Sequence, residues 1–136
     1  MNRRQEREEA FLMLFETEFD PAKAAEEIYE NAKDAREVEE SAYVRMVLSG
    51  VKAHKEELDA LIEKHSRGWR RERLSPVTSA ALLLAAYEIS YMEEIPPKVS
   101  MNEALELVKK YHDDKARAFV NGVLNAIAKE KEAGVE

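Results

Sequence analysis

The stretch from Val77 to Met92, VTSAALLLAAYEISYM, decides the fold expected of this chain. From Ala80 to Tyr87 it contains no charged or amide side chain, so a helix formed here is apolar on all of its faces and belongs in the middle of a domain. Ser75 and Pro76 stand just before it, and a serine cap followed by a first-turn proline is a typical helix start. The stretch therefore predicts a buried central helix with other helices packed around it.

Helical periodicity continues on both sides of this central helix. Apolar residues recur there at steps of three and four, and no segment shows the alternation of a half-buried strand. We therefore predict an all-α fold of seven helices. The first of the other six is expected from about Arg3 to Glu18, and the second starts at a cap and proline, Asp20 and Pro21. The third and fourth follow the apolar stripes Tyr43 to His54 and Leu58 to His65. The sixth starts at a capping box of Ser100 and Glu103, and the seventh at a cap on Asp113 or Asp114.

The basic segment from Arg67 to Arg73 interrupts the apolar pattern. At 136 residues the chain has room for one ordinary domain, or for two small bundles that share an interface. We expect a single domain over residues 1–136, made of two packed helical sub-bundles at about 1–68 and 75–130.

Composition narrows the classes of protein that this chain can be. It has no cysteine, which excludes disulfides, thiolate metal ligands and a cysteine nucleophile. No apolar stretch approaches the roughly 20 residues that a membrane helix needs, and the charged start from Met1 to Glu9 has no signal-peptide core behind it. We therefore expect a soluble, cytoplasmic protein.

Residue spacing gives no sign of a metal, cofactor or catalytic site. None of the three histidines has a glutamate three residues before it, as bundles with carboxylate-bridged metals do. The four glycines lack the spacing of a phosphate-binding loop. Abundant Asp and Glu leave acid–base pairs open, but abundance favours none of them. We predict no catalytic residue, no metal and no cofactor.

Basic residues form three clusters in a chain whose formal net charge is −7. Neutralisation of phosphates is the main sequence-independent source of nucleic-acid affinity, so any RNA binding by this acidic chain must be local. Each cluster also has acidic neighbours, and a solvated helix face is the simpler interpretation of any one cluster. The clusters are Arg3, Arg4 and Arg7; Arg67, Arg70, Arg71 and Arg73; and Lys109, Lys110, Lys115 and Arg117.

Four short motifs in the second half of the chain resemble the NusB family in wording, order and spacing. A single six-residue string on a helix recurs by chance, whereas four in register make a strong signal. The first helix agrees more loosely, through an Arg-x-x-Arg-Glu opening that starts at Arg4. The four motifs are Leu82 to Tyr91 (LLLAAYEISY), Ile95 to Val99 (IPPKV), Asn102 to Tyr111 (NEALELVKKY) and Phe119 to Leu124 (FVNGVL).

This resemblance implies a NusB-like fold and a role in transcription antitermination. Proteins of the family pair with NusE, a small-subunit ribosomal protein. The pair binds the boxA element of nascent RNA and joins an antitermination complex on RNA polymerase that supports ribosomal RNA transcription. The resemblance therefore implies two partners, boxA RNA and NusE, and no enzymatic activity.

Other interpretations stay open at this stage. A helical protein-interaction module without RNA binding is the first alternative, and the acidic balance favours it. A NusB-like domain also precedes the catalytic part of certain ribosomal RNA methyltransferases, which applies here only if the chain is a fragment. The free protein is either a monomer or a homodimer that hides its RNA surface.

Carried over residue by residue, the resemblance places RNA contacts near both ends of the chain. The arginine motif falls in the first helix, where a guanidinium suits phosphate, and an exposed first turn is the plain alternative. In the last helix Phe119 fits base stacking and core packing equally well. The expected RNA-binding residues are Arg3, Arg4, Arg7, Lys115, Arg117, Phe119, Asn121 and Gly122.

The end of the central helix supplies the candidates for binding NusE, which are Tyr87, Glu88 and Tyr91. A carboxylate beside so much apolar surface must reach water or find a donor, because burying it unpaired is expensive. For Glu88 the donor is either in this chain, at the next helix or on a tyrosine, or on NusE. The resemblance favours NusE.

Overall fold

The computed structural model describes residues 1–67 and 73–135. Seven α-helices, with turns and short 3₁₀ segments between them, make up this part of the chain, and it contains no strand, which confirms the all-α class. Arg70 and Arg71 of the middle basic cluster lie outside the described residues. The α-helices are α1 (Arg3–Phe19), α2 (Ala25–Arg36), α3 (Ala42–Ala53), α4 (Lys55–Lys64), α5 (Pro76–Tyr91), α6 (Pro97–Lys110) and α7 (Arg117–Val135), with the 3₁₀ helix at Asp114–Ala116.

Helix α5 is the central element that its sequence predicts. Every residue from Thr78 to Ile89 is buried, and the helix packs against α1, α3, α4, α6 and α7. Its start is also as expected, since the Thr78 amide donates to Ser75 Oγ at 3.0 Å and Pro76 occupies the first turn. Because α5 is in contact with helices from both halves of the chain, it positions the surface features of both.

The predicted start of the second helix is wrong. Asp20 and Pro21 do not open a helix: the Lys23 amide donates to the Asp20 carbonyl at 3.2 Å, which closes a turn, and α2 begins only at Ala25. An aspartate followed by proline also initiates turns, so the same residues fit both structures.

The predicted capping box at Ser100 and Glu103 is also wrong. Helix α6 begins at Pro97, because a proline in the first turn already satisfies the geometry of a helix start. Ser100 therefore lies one turn inside α6, where its hydroxyl donates to Glu88 at 2.6 Å. Glu103 instead accepts two hydrogen bonds from Arg4 of α1.

Asp113 connects the starts of α5 and α7 rather than capping the last helix. Its carboxylate accepts hydrogen bonds from the hydroxyls of Ser75 and Thr78, and its side chain makes no cap bond to the 3₁₀ helix that follows. These hydroxyls lower the pKa of Asp113, although its partial burial acts in the opposite direction. A cap at Asp113 or Asp114 was predicted. Asp113 does not cap the last helix, and Asp114 is the first residue of the 3₁₀ helix that precedes α7, which begins at Arg117.

No helix among residues 1–67 and 73–135 is long and apolar enough to cross a membrane.

Candidate RNA and partner interface

Arg7 and Glu88 form a buried ion pair between α1 and α5. Their side chains are 8% and 1% exposed, and Arg7 Nε donates to Glu88 Oε2 at 2.8 Å. Tyr43 donates to the same oxygen, and Ser100 Oγ donates to Oε1 at 2.6 Å. Among the described residues no buried polar side-chain atom lacks a partner. Glu88 therefore has its donors within this chain.

This pair revises two of the assignments made from sequence. Arg7 lies inside the protein and is committed to Glu88, so its position does not fit a phosphate contact. Glu88 is buried and already accepts from three side chains, so it does not fit a contact with NusE. Of the alternatives for Glu88, the structure has the internal one, with a tyrosine and the next helix among the donors.

The hydroxyl of Tyr43 stays protonated in this network. Burial raises the pKa of Tyr43 well above its usual value, and the Glu88 carboxylate raises it further, because ionisation would place a second negative charge beside the first. Tyr43 is therefore a fixed donor. Its ring also lies under Arg3, whose guanidinium carbon is 4.4 Å from the ring centroid.

Arg3 and Arg4 are exposed at the start of α1, but both are paired with acids. Arg4 is 73% exposed and binds Glu103 through two hydrogen bonds of 3.0 and 2.7 Å. Arg4 also lowers the pKa of the Glu103 carboxyl, chiefly through this hydrogen bond. Arg3 is 3.3 Å from Glu6. Glu103 accepts from Nε and Nη2 of Arg4, so a phosphate that approached Arg4 would meet a partly neutralised guanidinium.

The start of α7 and the 3₁₀ helix just before it carry the other RNA candidates on their outward side. Lys115, Arg117, Asn121 and Gly122 are all exposed. The opposite side of α7 faces the core, while Phe119 lies between the two and is half-buried against the core. Both interpretations of Phe119 fit this position, because its ring contributes to packing and also borders the surface. The buried residues of α7 are Val120, Val123, Leu124 and Ile127.

Phe119 borders two surface hollows. The first has a volume of about 520 Å³ and is lined by Arg73 and Lys115 among others. The second, of about 440 Å³, lies between the end of α4 and α7. Its cationic wall is formed by Lys64 and Arg67, with His65 between them. Sequence reasoning missed Lys64 and His65, because only the tertiary packing of α4 on α7 brings them to Phe119.

The structure does not bring the two groups of RNA candidates together. Arg4 pairs with Glu103 and Glu8 pairs with Lys110, so α1 runs along α6 in the same direction. Arg4 is therefore level with the first half of α6, whereas Lys115 follows the C-terminal end of α6. The two basic groups therefore lie at different levels along α6.

Tyr91 is the exposed member of the predicted NusE contacts. It is 40% exposed at the end of α5, and its ring stacks on His54 with centroids 4.4 Å apart. Its hydroxyl donates to Glu57, and this bond raises the pKa of Tyr91 to about 12. Met46 adds a further exposed apolar side chain on α3, one turn before Gly50.

Tyr87 lies beneath this surface and packs against the backbone of α3. It is buried, which raises the pKa of its hydroxyl, and its ring is 5.3 Å from that of Tyr91. A Cβ added at Gly50 would overlap the Tyr87 ring. Tyr87 therefore supports the position of Tyr91 instead of offering a contact surface of its own.

The Gly50→Ala substitution is expected to have opposite effects in two backgrounds. In the wild type it should lower the free energy of unfolding by about 1–2 kcal/mol, because the new methyl group displaces the Tyr87 ring. In a Tyr87→Ala background it should raise stability by about 1 kcal/mol, the helix-propensity gain of Ala over Gly. Urea denaturation of the four proteins measures both, and equal effects in the two backgrounds would contradict the close contact.

Among the described residues, no group of three or more histidines and carboxylates could hold a metal ion. The geometry offers a cationic and aromatic surface around the start of α7 and an exposed tyrosine at the end of α5.

Comparison with known proteins agrees with this geometry. The family model of the NusB family matches residues 4–129. A transcription antitermination protein NusB of Clostridium botulinum (strain Loch Maree / Type A3) is 41% identical over 138 residues, which covers 91% of this chain and 97% of that protein. T. maritima NusB has a similar structure, with a TM-score of 0.83, 33% identity and 98% of both chains covered.

A crystal structure of the antitermination factors NusB and NusE in complex with dsRNA is similar as well. Its matching chain has a TM-score of 0.83 and 31% identity, and the match covers 96% of this chain and 99% of that one. The sequence match spans nearly the whole chain, and the seven-helix fold is shared. This chain therefore belongs to the NusB family of transcription antitermination proteins.

Proposed function

We propose that this NusB-family protein binds boxA RNA together with NusE and supports processive transcription of ribosomal RNA operons as part of an antitermination complex on RNA polymerase. Its site of action is the cytoplasm, where the nascent transcript is made. Two findings support the partners: relatives are named as transcription antitermination proteins, and a similar chain has been crystallised with NusE and dsRNA.

The outward side of α7 is the proposed RNA surface. The observation that carries this proposal is the exposure of Arg117 and Asn121 beside Phe119, on a helix whose other side is core. Lys115 is exposed in the 3₁₀ helix just before it. Cations bind phosphates, an aromatic edge can support a base, and an amide can read a base edge. Gly122 leaves the backbone open between them, since an added Cβ there would meet no atom within 4 Å.

Arg3 and Arg4 form a second, separate group of proposed RNA contacts at the start of α1, and Arg7 is left out of this group. Both exposed arginines are paired with acids, Glu6 and Glu103, which partly neutralise their charge and weaken their attraction for phosphate. A chain of net charge −7 holds few cations to spare. NusE supplies positive charge and a second footprint, and joining two footprints raises affinity without many lysines on either protein.

Tyr91 and Met46 form the proposed NusE surface, with Tyr87 supporting it from below. Both side chains are exposed and apolar in large part, and exposed aromatic and methionine side chains are enriched at protein interfaces. A homodimer that covers an idle surface is the alternative for the free protein. Light scattering with and without RNA distinguishes a monomer from such a homodimer.

Two substitutions in α7 are expected to weaken RNA binding. Phe119→Ala should lower the affinity of the protein and NusE for boxA RNA by about tenfold, within the range of roughly 1–3 kcal/mol for one stacked base. Arg117→Ala should lower it less and should make binding less dependent on salt, because one phosphate contact is lost. Gel shifts on boxA RNA, with and without NusE, measure both effects.

The matched control is Arg36→Ala, since Arg36 is exposed and paired with an acid. It lies on α2, whereas α7 packs chiefly against α4, α5 and α6. Arg4→Ala should fall between this control and Arg117→Ala. If all four variants bind RNA as the wild type does while remaining folded, the surface is misplaced. If the wild type with NusE captures no RNA even at low salt, the alternative of an interaction module without RNA binding is correct.

A further inference from the structure

We propose that the groove between the end of α4 and α7 is a second part of the RNA surface, in which Lys64 and Arg67 bind phosphates of single-stranded RNA. This proposal rests on the proposed RNA-binding function. It adds residues that the resemblance to the family does not supply, because the groove exists only where α4 packs on α7.

The two walls of the groove differ in chemistry. The α4 wall carries Lys64, His65 and Arg67, and the α7 wall carries Phe119 and Gly122. With a volume of about 440 Å³ the groove can hold part of a nucleotide. One wall therefore offers positive charge and the other offers an aromatic edge beside bare backbone.

Gly122 leaves the backbone of α7 bare at the groove, and the packing of the helices does not require a glycine there. A Cβ at this position would meet nothing within 4 Å, so no neighbouring helix needs the missing side chain. Glycine inside a helix is unfavourable relative to alanine. A glycine that costs stability and serves no internal packing fits a position where a ligand approaches the backbone.

Cations also stand on the other side of Phe119. The adjoining hollow, of about 520 Å³, is lined by Arg73 and Lys115. A strand that crosses α7 at Phe119 would thus meet positive side chains both before and after the ring. This combination of an aromatic residue with cations along the backbone path is how proteins commonly hold single strands.

Glu130 of α7 lies beside the groove and is the group that competes with phosphate for its cations. It accepts from Lys64 through Oε1 and lies 2.9 Å from His65 Nε2 through Oε2. Its hydrogen bonds with His65 and Lys64 lower the pKa of Glu130, so the carboxylate stays ionised. Glu130 therefore holds the cationic wall in place in the free protein and opposes phosphate. Removing its charge should strengthen RNA binding.

The test is a salt series of boxA RNA binding by the full chain with NusE. The Lys64→Ala/Arg67→Ala double variant should bind about tenfold more weakly, and the slope of log affinity against log salt should fall by about 1.4, at roughly 0.7 for each phosphate contact on a single strand. Glu130→Gln should bind severalfold more tightly. Lys55→Ala is the matched control, because Lys55 lies on the same helix and is also paired with an acid.

Lysine acetylation gives a second measurement that does not depend on a variant. RNA should shield Lys64 from the reagent and leave Lys55 equally reactive with and without RNA. The proposal is overturned if the wild type binds RNA while the double variant keeps its affinity and slope, and the proposed function then survives. It is also overturned, together with that function, if the wild type binds no RNA.

Discussion

Arg7→Met should lower the free energy of unfolding by about 3–5 kcal/mol, the usual cost of removing one partner from a buried ion pair. The substitution leaves the Glu88 carboxylate 1% exposed with two hydroxyl donors and no cation. The loss should be large because water cannot reach the buried Glu88 carboxylate to replace the cation that it has lost. Urea denaturation measures it from the shift of the midpoint at constant slope.

Two further variants separate the buried charge from a general effect of losing an arginine. Arg4→Met removes an exposed arginine from the same helix and should leave stability close to the wild type, since solvent screens its pair with Glu103. The Arg7→Met/Glu88→Leu double variant should recover part of the loss, because no unpaired charge remains. Equal losses for Arg7→Met and Arg4→Met would show that the Arg7–Glu88 pair is not buried as described.

Leu83→Ala should lower the free energy of unfolding by about 2–5 kcal/mol, as large-to-small substitutions in a core do. Leu83 is fully buried in α5. Because α5 packs against five other helices, the surrounding side chains have little freedom to move in and fill the cavity. The loss combines the missing transfer free energy of the side chain with the cavity that remains. Thermal or urea unfolding of the purified variant provides the measurement.

Val99→Ala is the control for this second prediction. Val99 is also apolar and helical, but it is 40% exposed at the start of α6, so its truncation should change stability by less than about 0.5 kcal/mol. A loss for Leu83→Ala no greater than for Val99→Ala would mean that α5 is not the buried centre of the fold.

Local pattern was enough to predict the class of fold and the central helix. The apolar run in α5 and its Ser75–Pro76 start depend on neighbours within one or two turns, and the structure has both where the sequence places them. The start of α1 depends on near neighbours in the same way, because Asn2 and Gln5 form a capping box there. A capping box was predicted only at Ser100 and Glu103, where the structure has none.

The failures at α6 arise from contacts between residues far apart in the chain. Ser100 and Glu103 have the spacing of a capping box, but Glu88 and Arg4 bind them more favourably than the backbone of their own helix. Pro97 had already provided a helix start. The spacing of two residues in the sequence cannot show that both side chains bind distant residues in the folded protein.

The arginine motif shows the same limit at the candidate site. Arg4 and Arg7 are three residues apart in the same charged segment of α1. Arg4 is nevertheless exposed, whereas Arg7 is buried against Glu88. The apolar surroundings of Glu88 did indicate that it needs a donor. They could not indicate that the donor is an arginine 81 residues earlier in the chain.

The most direct test of the function is to titrate labelled boxA RNA with the wild-type protein, with and without NusE, at increasing salt. Binding should require NusE for high affinity and should weaken in proportion to the logarithm of the salt concentration, as a phosphate-contacting surface must. If no RNA is bound at low salt with NusE in excess, or if binding does not change with salt, the cationic surface at α7 is not where this protein holds RNA.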